Sequence, residues 1–172
     1  AGVPCDTVLF NIDSKSDAKK GKDAILRVFT NVFNGLCGYS DTYPHLANIE
    51  RALDGQGHYE AFQEEFEKIT KKPWKKHRKA YLIMVKQTAK AISIVTDQNQ
   101  ESMEQMLTNK NATFTVTIED FAQSVKEYLD KREKNHRVIF LVDEIGQYIG
   151  KDSDLMLNLQ TITENLGTQC EG

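Results

Sequence analysis

One stretch constrains this chain more than any other: Arg137-Val138-Ile139-Phe140-Leu141-Val142-Asp143-Glu144. Five apolar residues, mostly β-branched, run without interruption and stop at two adjacent carboxylates. A continuous apolar run of this length suits a strand buried on both faces, as in a parallel sheet covered by helices. A second candidate, Thr7-Val8-Leu9-Phe10-Asn11-Ile12-Asp13, also ends in a carboxylate. The expected fold class is therefore α/β, with these two strands adjacent and parallel. Acidic side chains at the carboxyl ends fall where open α/β sheets bind ligands.

Helical periodicity fills the space between the strands. Asp23 is placed to cap a helix in which Ala24, Ile25, Val28, Phe29, Val32 and Phe33 recur, ending at Gly35 and Gly38. From Tyr39 to Lys110 the sequence is helical and polar. Four helices are expected there: Pro44 to Leu53, Tyr59 to Ile69, one continuous helix from Pro73 to Val95, and Gln98 to Leu107. Phe114-Thr115-Val116 reads as a short extended segment. Thr117-Ile118-Glu119-Asp120 reads as a helix entry with a capping arrangement. Asp152 or Ser153 caps a last helix carrying Leu155, Leu159 and Ile162. A crossover between parallel strands needs only about a dozen residues. The division expected is 1–38 with 113–172 as the sheet-bearing core, and 39–112 as an all-helical insertion.

The chemistry concentrates at Asp143 and Glu144. An apolar strand ending in two carboxylates is how a Walker B element reads. Its first carboxylate helps hold Mg²⁺ and its second aligns the attacking water. Asp143 is thus the candidate metal and cofactor ligand, and Glu144 the candidate catalytic residue. The other half of such a site is a phosphate cradle of the form G-x-x-x-x-G-K-[ST], and no such stretch occurs in the 172 residues. Gly35-Leu36-Cys37-Gly38-Tyr39-Ser40 has glycines but no lysine and follows a helix, so it is not a phosphate loop. Asp13 ends the other strand, where a turn-forming role is the simpler reading.

Lys71-Lys72-Pro73-Trp74-Lys75-Lys76-His77-Arg78-Lys79 is the strongly basic run. Cations around an aromatic residue suit nucleic-acid binding, with phosphates on the lysines and bases stacked on Trp74. The competing reading is a solvated helix start with Trp74 folded onto the core, which the net charge of -3 favours. Cations near a helix N-terminus oppose its dipole. His45, His58, His77 and His136 have no ligand spacing and read as surface residues, as do Asn158 and Gln160. Cys5, Cys37 and Cys170 lie far apart, which points to reduced thiols and a cytoplasmic location. No apolar run reaches transmembrane length, and no membrane partner is expected.

Several segments together resemble one family. Val8-Leu9-Phe10-Asn11-Ile12-Asp13, Gly38-Tyr39-Ser40 with Tyr43-Pro44-His45, the stretch from Phe140 through Gly150, and Asp154 through Glu164 are similar to the large P-loop ATPases of the BREX phage-defence systems, BrxC and PglY. The resemblance spans nearly the whole chain and is strongest from Arg137 onward. It implies a partial P-loop NTPase sheet of the ASCE/AAA+-like kind, the Walker B half, interrupted by a helical insertion. It also implies a large cytoplasmic parent that couples ATP hydrolysis to phage defence and host DNA modification with other BREX components. ATP and Mg²⁺ are expected in that parent and not in this piece alone, which lacks Walker A. The chain reads as an excised piece, and self-association through the edge of its 138–142 strand is expected. The alternative function is a non-catalytic binding module whose helical insertion docks a partner protein or DNA, the latter through Lys71–Lys79.

Overall fold

A computed structural model describes residues 2–12, 21, 23–109 and 116–170. Asp13 and residues 114–115 of the expected extended segment lie outside the described residues. Those described form two compact units, 1–37 with 115–172, and 38–114.

The first unit holds the sheet. Strand β1 (Cys5–Asn11) pairs in parallel with β2 (Arg137–Asp143), and Val8 lies opposite Phe140 and Asn11 opposite Asp143. The unit's helices are α1 (Ala24–Leu36), α7 (Ile118–Asp130), α8 (Ile145–Ile149) and α9 (Ser153–Cys170). Side chains alternate across a strand, so Val8, Phe10, Val138, Phe140 and Val142 share one face. Phe29 and Phe33 of α1 and Phe121 of α7 pack on it, with the Phe29 ring 5.4 Å from that of Phe10 and 5.3 Å from that of Phe140.

The opposite face departs from the sequence expectation. Leu9 is 73% exposed, Leu141 48% and Ile139 39%. Among the described residues, the strands are therefore buried on one face only. Their unbroken apolar runs record what both faces prefer, not which layers cover them. Among the described residues, β2 pairs with β1 and its outer edge pairs with no other strand.

Local signals act as expected at two helix entries. Thr117 and Asp120 form a reciprocal capping box at α7, each bond 3.1 Å long. Asp152 accepts from the backbone N–H groups of Asp154 and Leu155 at the start of α9. Asp23 occupies the cap position of α1 but makes no side-chain cap bond. The Leu26 N–H instead donates to Asn158 Oδ1 at 3.3 Å, so half-buried Asn158 ties α9 to α1 and is not a free surface amide. Gln160 is exposed and pairs with Glu164.

At the other end of the sheet, Asp6 accepts from Tyr128 and from His136, each at 2.7 Å. These two donors, Tyr128 first, hold its carboxyl below the usual aspartate value. A carboxyl depressed in the fold stabilises it above the unfolded value of about 3.9, and that contribution is lost as pH falls through the folded value. Asp6→Asn should therefore show a shallower acid limb in melting temperature below about pH 4 than the parent chain. An identical limb in both would remove Asp6 from the acid response.

The second unit is all helical among its described residues: α2 (Pro44–Gly55), α3 (Tyr59–Thr70), α4 (Trp74–His77), α5 (Val85–Thr96) and α6 (Gln100–Leu107). Its core is built on Trp74, 1% exposed, whose ring meets Phe62 and Phe66 edge-on at 4.9 Å. Beside it lies Glu50, also 1% exposed. Glu50 accepts from Ser40 N–H at 2.5 Å, Tyr59 O–H at 2.9 Å, Trp74 Nε1–H at 2.7 Å and Arg78 at 3.2 Å. Burial, then the Glu50 charge, push the Tyr59 phenol far above its usual range. A buried carboxylate with four donors, one of them a guanidinium, is the arrangement that offsets its desolvation.

The helix expected from Pro73 to Val95 is broken. After α4 the chain makes one 3₁₀ turn, Arg78–Ala80, then a non-helical turn before α5. Arg78 reaches back to the Gly38 carbonyl at 2.7 Å and to Glu50, contacts that local sequence does not encode. The break also removes the dipole conflict: α4 is a single turn of four residues, so no long helix presents its N-terminus to Lys75, Lys76 and Lys79.

Candidate functional site

Asp143 closes β2, and Glu144 follows it in the left-handed region, with φ 59°. A non-glycine residue there is uncommon and strained by about 1 kcal/mol or more. That conformation turns the chain from β2 into α8, for which Glu144 is the N-cap residue. Both carboxylates are exposed at the carboxyl end of the parallel pair. By strand alternation Asp143 shares the uncovered face with Leu141 and Leu9.

The contacts at these two residues differ. Asp143 Oδ1 accepts from the Glu144 N–H at 2.9 Å, which orients the aspartate along the turn. Glu144 Oε2 accepts from Asn11 Nδ2 at 2.6 Å. Asn11 sits at the end of β1, in register with Asp143. The parallel pairing thus brings the end of β1 to both carboxylates, across 133 residues of sequence between Asn11 and Glu144. Asn11 is the site residue that the sequence reading missed. Its signal was a polar amide interrupting the apolar run from Val8 to Ile12.

The donor set fits a hard divalent cation carried with a polyphosphate. Magnesium is held by one or two carboxylates plus waters and phosphate oxygens, not by an all-protein cage. Asp143 Oδ2 and Glu144 Oε1 make no hydrogen bond or ion pair with the described residues, so each residue keeps one oxygen for such use. Among the described residues, no group of three His, Cys, Asp or Glu side chains is assembled that would form a closed metal site.

The remaining candidates have partners of their own. His136 pairs with Asp6 at the start of the strands. His45 contacts the Met106 carbonyl and His77 the Pro73 carbonyl. Trp74 is sealed in its own core and offers no stacking face, which overturns the stacking part of the nucleic-acid reading. The three cysteines are free thiols. Among the described residues, no helix is long and apolar enough to cross a membrane. No family model matches the chain, and no solved structure matches it.

Proposed function

We propose that this chain carries the Walker B half of a P-loop ATPase site of the BREX type, with Asp143 as Mg²⁺ ligand and Glu144 as the group that activates water. The observation supporting it is the placement of Asp143 and Glu144 at the carboxyl end of a parallel strand, with Asn11 of the neighbouring strand hydrogen-bonded to Glu144. Bound Mg²⁺ would neutralise phosphate charge and align the nucleotide. Asp143 is already oriented by its bond to the Glu144 N–H. Glu144 has Oε2 held by Asn11 and Oε1 available to accept a proton from water. Asn11 would fix the carboxylate rotamer and is a positioning residue.

The proposal divides nucleotide binding from water activation, and the test uses that division. Calorimetry of the 172-residue chain with Mg²⁺-ATP should give no binding heat, because its sequence has no phosphate cradle and two carboxylates alone repel a polyphosphate. A longer chain that joins these residues to a phosphate loop should bind Mg²⁺-ATP and hydrolyse it. Tight binding by the 172 residues, or a longer chain without hydrolysis, would overturn the proposal.

A further inference from the structure

From Lys68 to Lys90 the sequence holds nine cations and no carboxylate. The structure sorts these cations. Arg78 is spent on Glu50 and the Gly38 carbonyl, inside the 38–114 unit. All eight lysines are exposed. Lys68 pairs with Glu65 at 3.2 Å, and Lys79 lies 3.9 Å from Asp41. Lys71, Lys72, Lys75, Lys76, Lys86 and Lys90 make no ion pair with the described residues. An otherwise acidic chain thus concentrates unneutralised charge on one segment of one unit.

We infer that this exposed lysine-rich segment binds the phosphodiester backbone of nucleic acid without reading its sequence. Three observations choose that ligand. First, the charge is carried by lysines, which meet phosphates as point charges, and not by the planar forks of arginine that match base edges and phosphates bidentately. Second, the segment's aromatic anchors, Trp74 and Tyr81, are buried at 1% and 5% exposure and cannot stack on bases. Third, a bilayer surface would need an apolar face beside the charge. Helix α5, which follows the turn, turns Ala89, Ala91 and Ile92 into its own core. What remains outside near the lysines is Leu82, Ile83 and Ile94, at 55%, 87% and 52% exposure. Three aliphatic side chains against eight lysines favour a charged polymer over a lipid surface. The inference concerns the 38–114 unit and does not depend on the carboxylate site.

The test is fluorescence anisotropy of the full chain with a labelled 30-nucleotide DNA strand, its duplex and the equivalent RNA, over a salt series. Binding should weaken steeply with salt in every case and vary little with base sequence. Lys72→Glu/Lys75→Glu/Lys76→Glu should weaken it by about tenfold or more and flatten the log–log salt slope by roughly 2 to 3. The same reversal at exposed Lys131, Lys134 and Lys151, in the other unit, matches the change in net charge and should cost less than about twofold. All six lysines are exposed, and circular dichroism of each variant checks the fold. Anisotropy that does not respond at about 50 mM salt would overturn the inference. So would equal losses in the two triple variants, which would report net charge alone. Flotation with phosphatidylserine vesicles, abolished by Ile83→Ser while nucleic acid fails to bind, would assign the surface to membranes instead.

Discussion

Glu50→Ala is expected to destabilise the 38–114 unit by about 3–5 kcal/mol, the usual cost of removing one partner from a buried ion pair. The loss is large because it orphans several groups at once. The Trp74 indole N–H and the Ser40 amide each lose their acceptor in a site closed to water, and the Tyr59 hydroxyl keeps only the Gly38 carbonyl at 3.4 Å. Arg78 keeps the Gly38 carbonyl but loses its counter-charge. Set against a typical domain stability of about 5–15 kcal/mol, such a loss leaves the unit marginal or unfolded. Glu50→Gln should fall between, since its amide can face only one of its two sets of donors with oxygen. Trp74 is the chain's single tryptophan, so its emission in a urea titration reports this unit directly. A midpoint for Glu50→Ala within about 0.3 M urea of the parent would show that the network contributes little.

That network also shows where sequence reasoning stops. The capping box at Thr117 and Asp120 was legible because both partners lie within one turn of helix. The parallel pairing of β1 and β2 was legible because two apolar runs ending in carboxylates, separated by helical sequence, leave few other arrangements. The features that escaped are joined by long-range contacts. Arg78 breaks the expected long helix by reaching partners 40 and 28 residues away, Gly38 and Glu50. Asn158 replaces Asp23 as the cap of α1 from 132 residues away. Asn11 meets Glu144 only because the strands pair in one register. The uncovered sheet face escaped for a different reason. Leu9, Ile139 and Leu141 have the composition of a buried face, and composition does not say whether a covering layer is there.

The candidate site is where register and composition together yield a chemical expectation. In an ATP-hydrolysing chain that contains these residues and a phosphate loop, Glu144→Gln should lower kcat by roughly 10²–10⁴-fold, the range for loss of a positioned general base. Nucleotide affinity should change little, because Glu144 acts on water. The amide keeps the size of the side chain and can still occupy the place beside Asn11, so the loss would be chemical and not structural. Asp143→Asn should behave differently: it weakens a metal ligand, so activity should be partly restored by raising Mg²⁺, which Glu144→Gln should not allow. Asn11→Ala leaves both carboxylates in place and removes the 2.6 Å bond that fixes one of them. It should lower kcat by less than Glu144→Gln does, with KM for ATP unchanged. The three variants thus separate water activation, metal holding and carboxylate positioning. Hydrolysis by Glu144→Gln at the parent rate would take Glu144 out of the chemistry. The strained backbone at φ 59° would then be only the cost of turning β2 into α8.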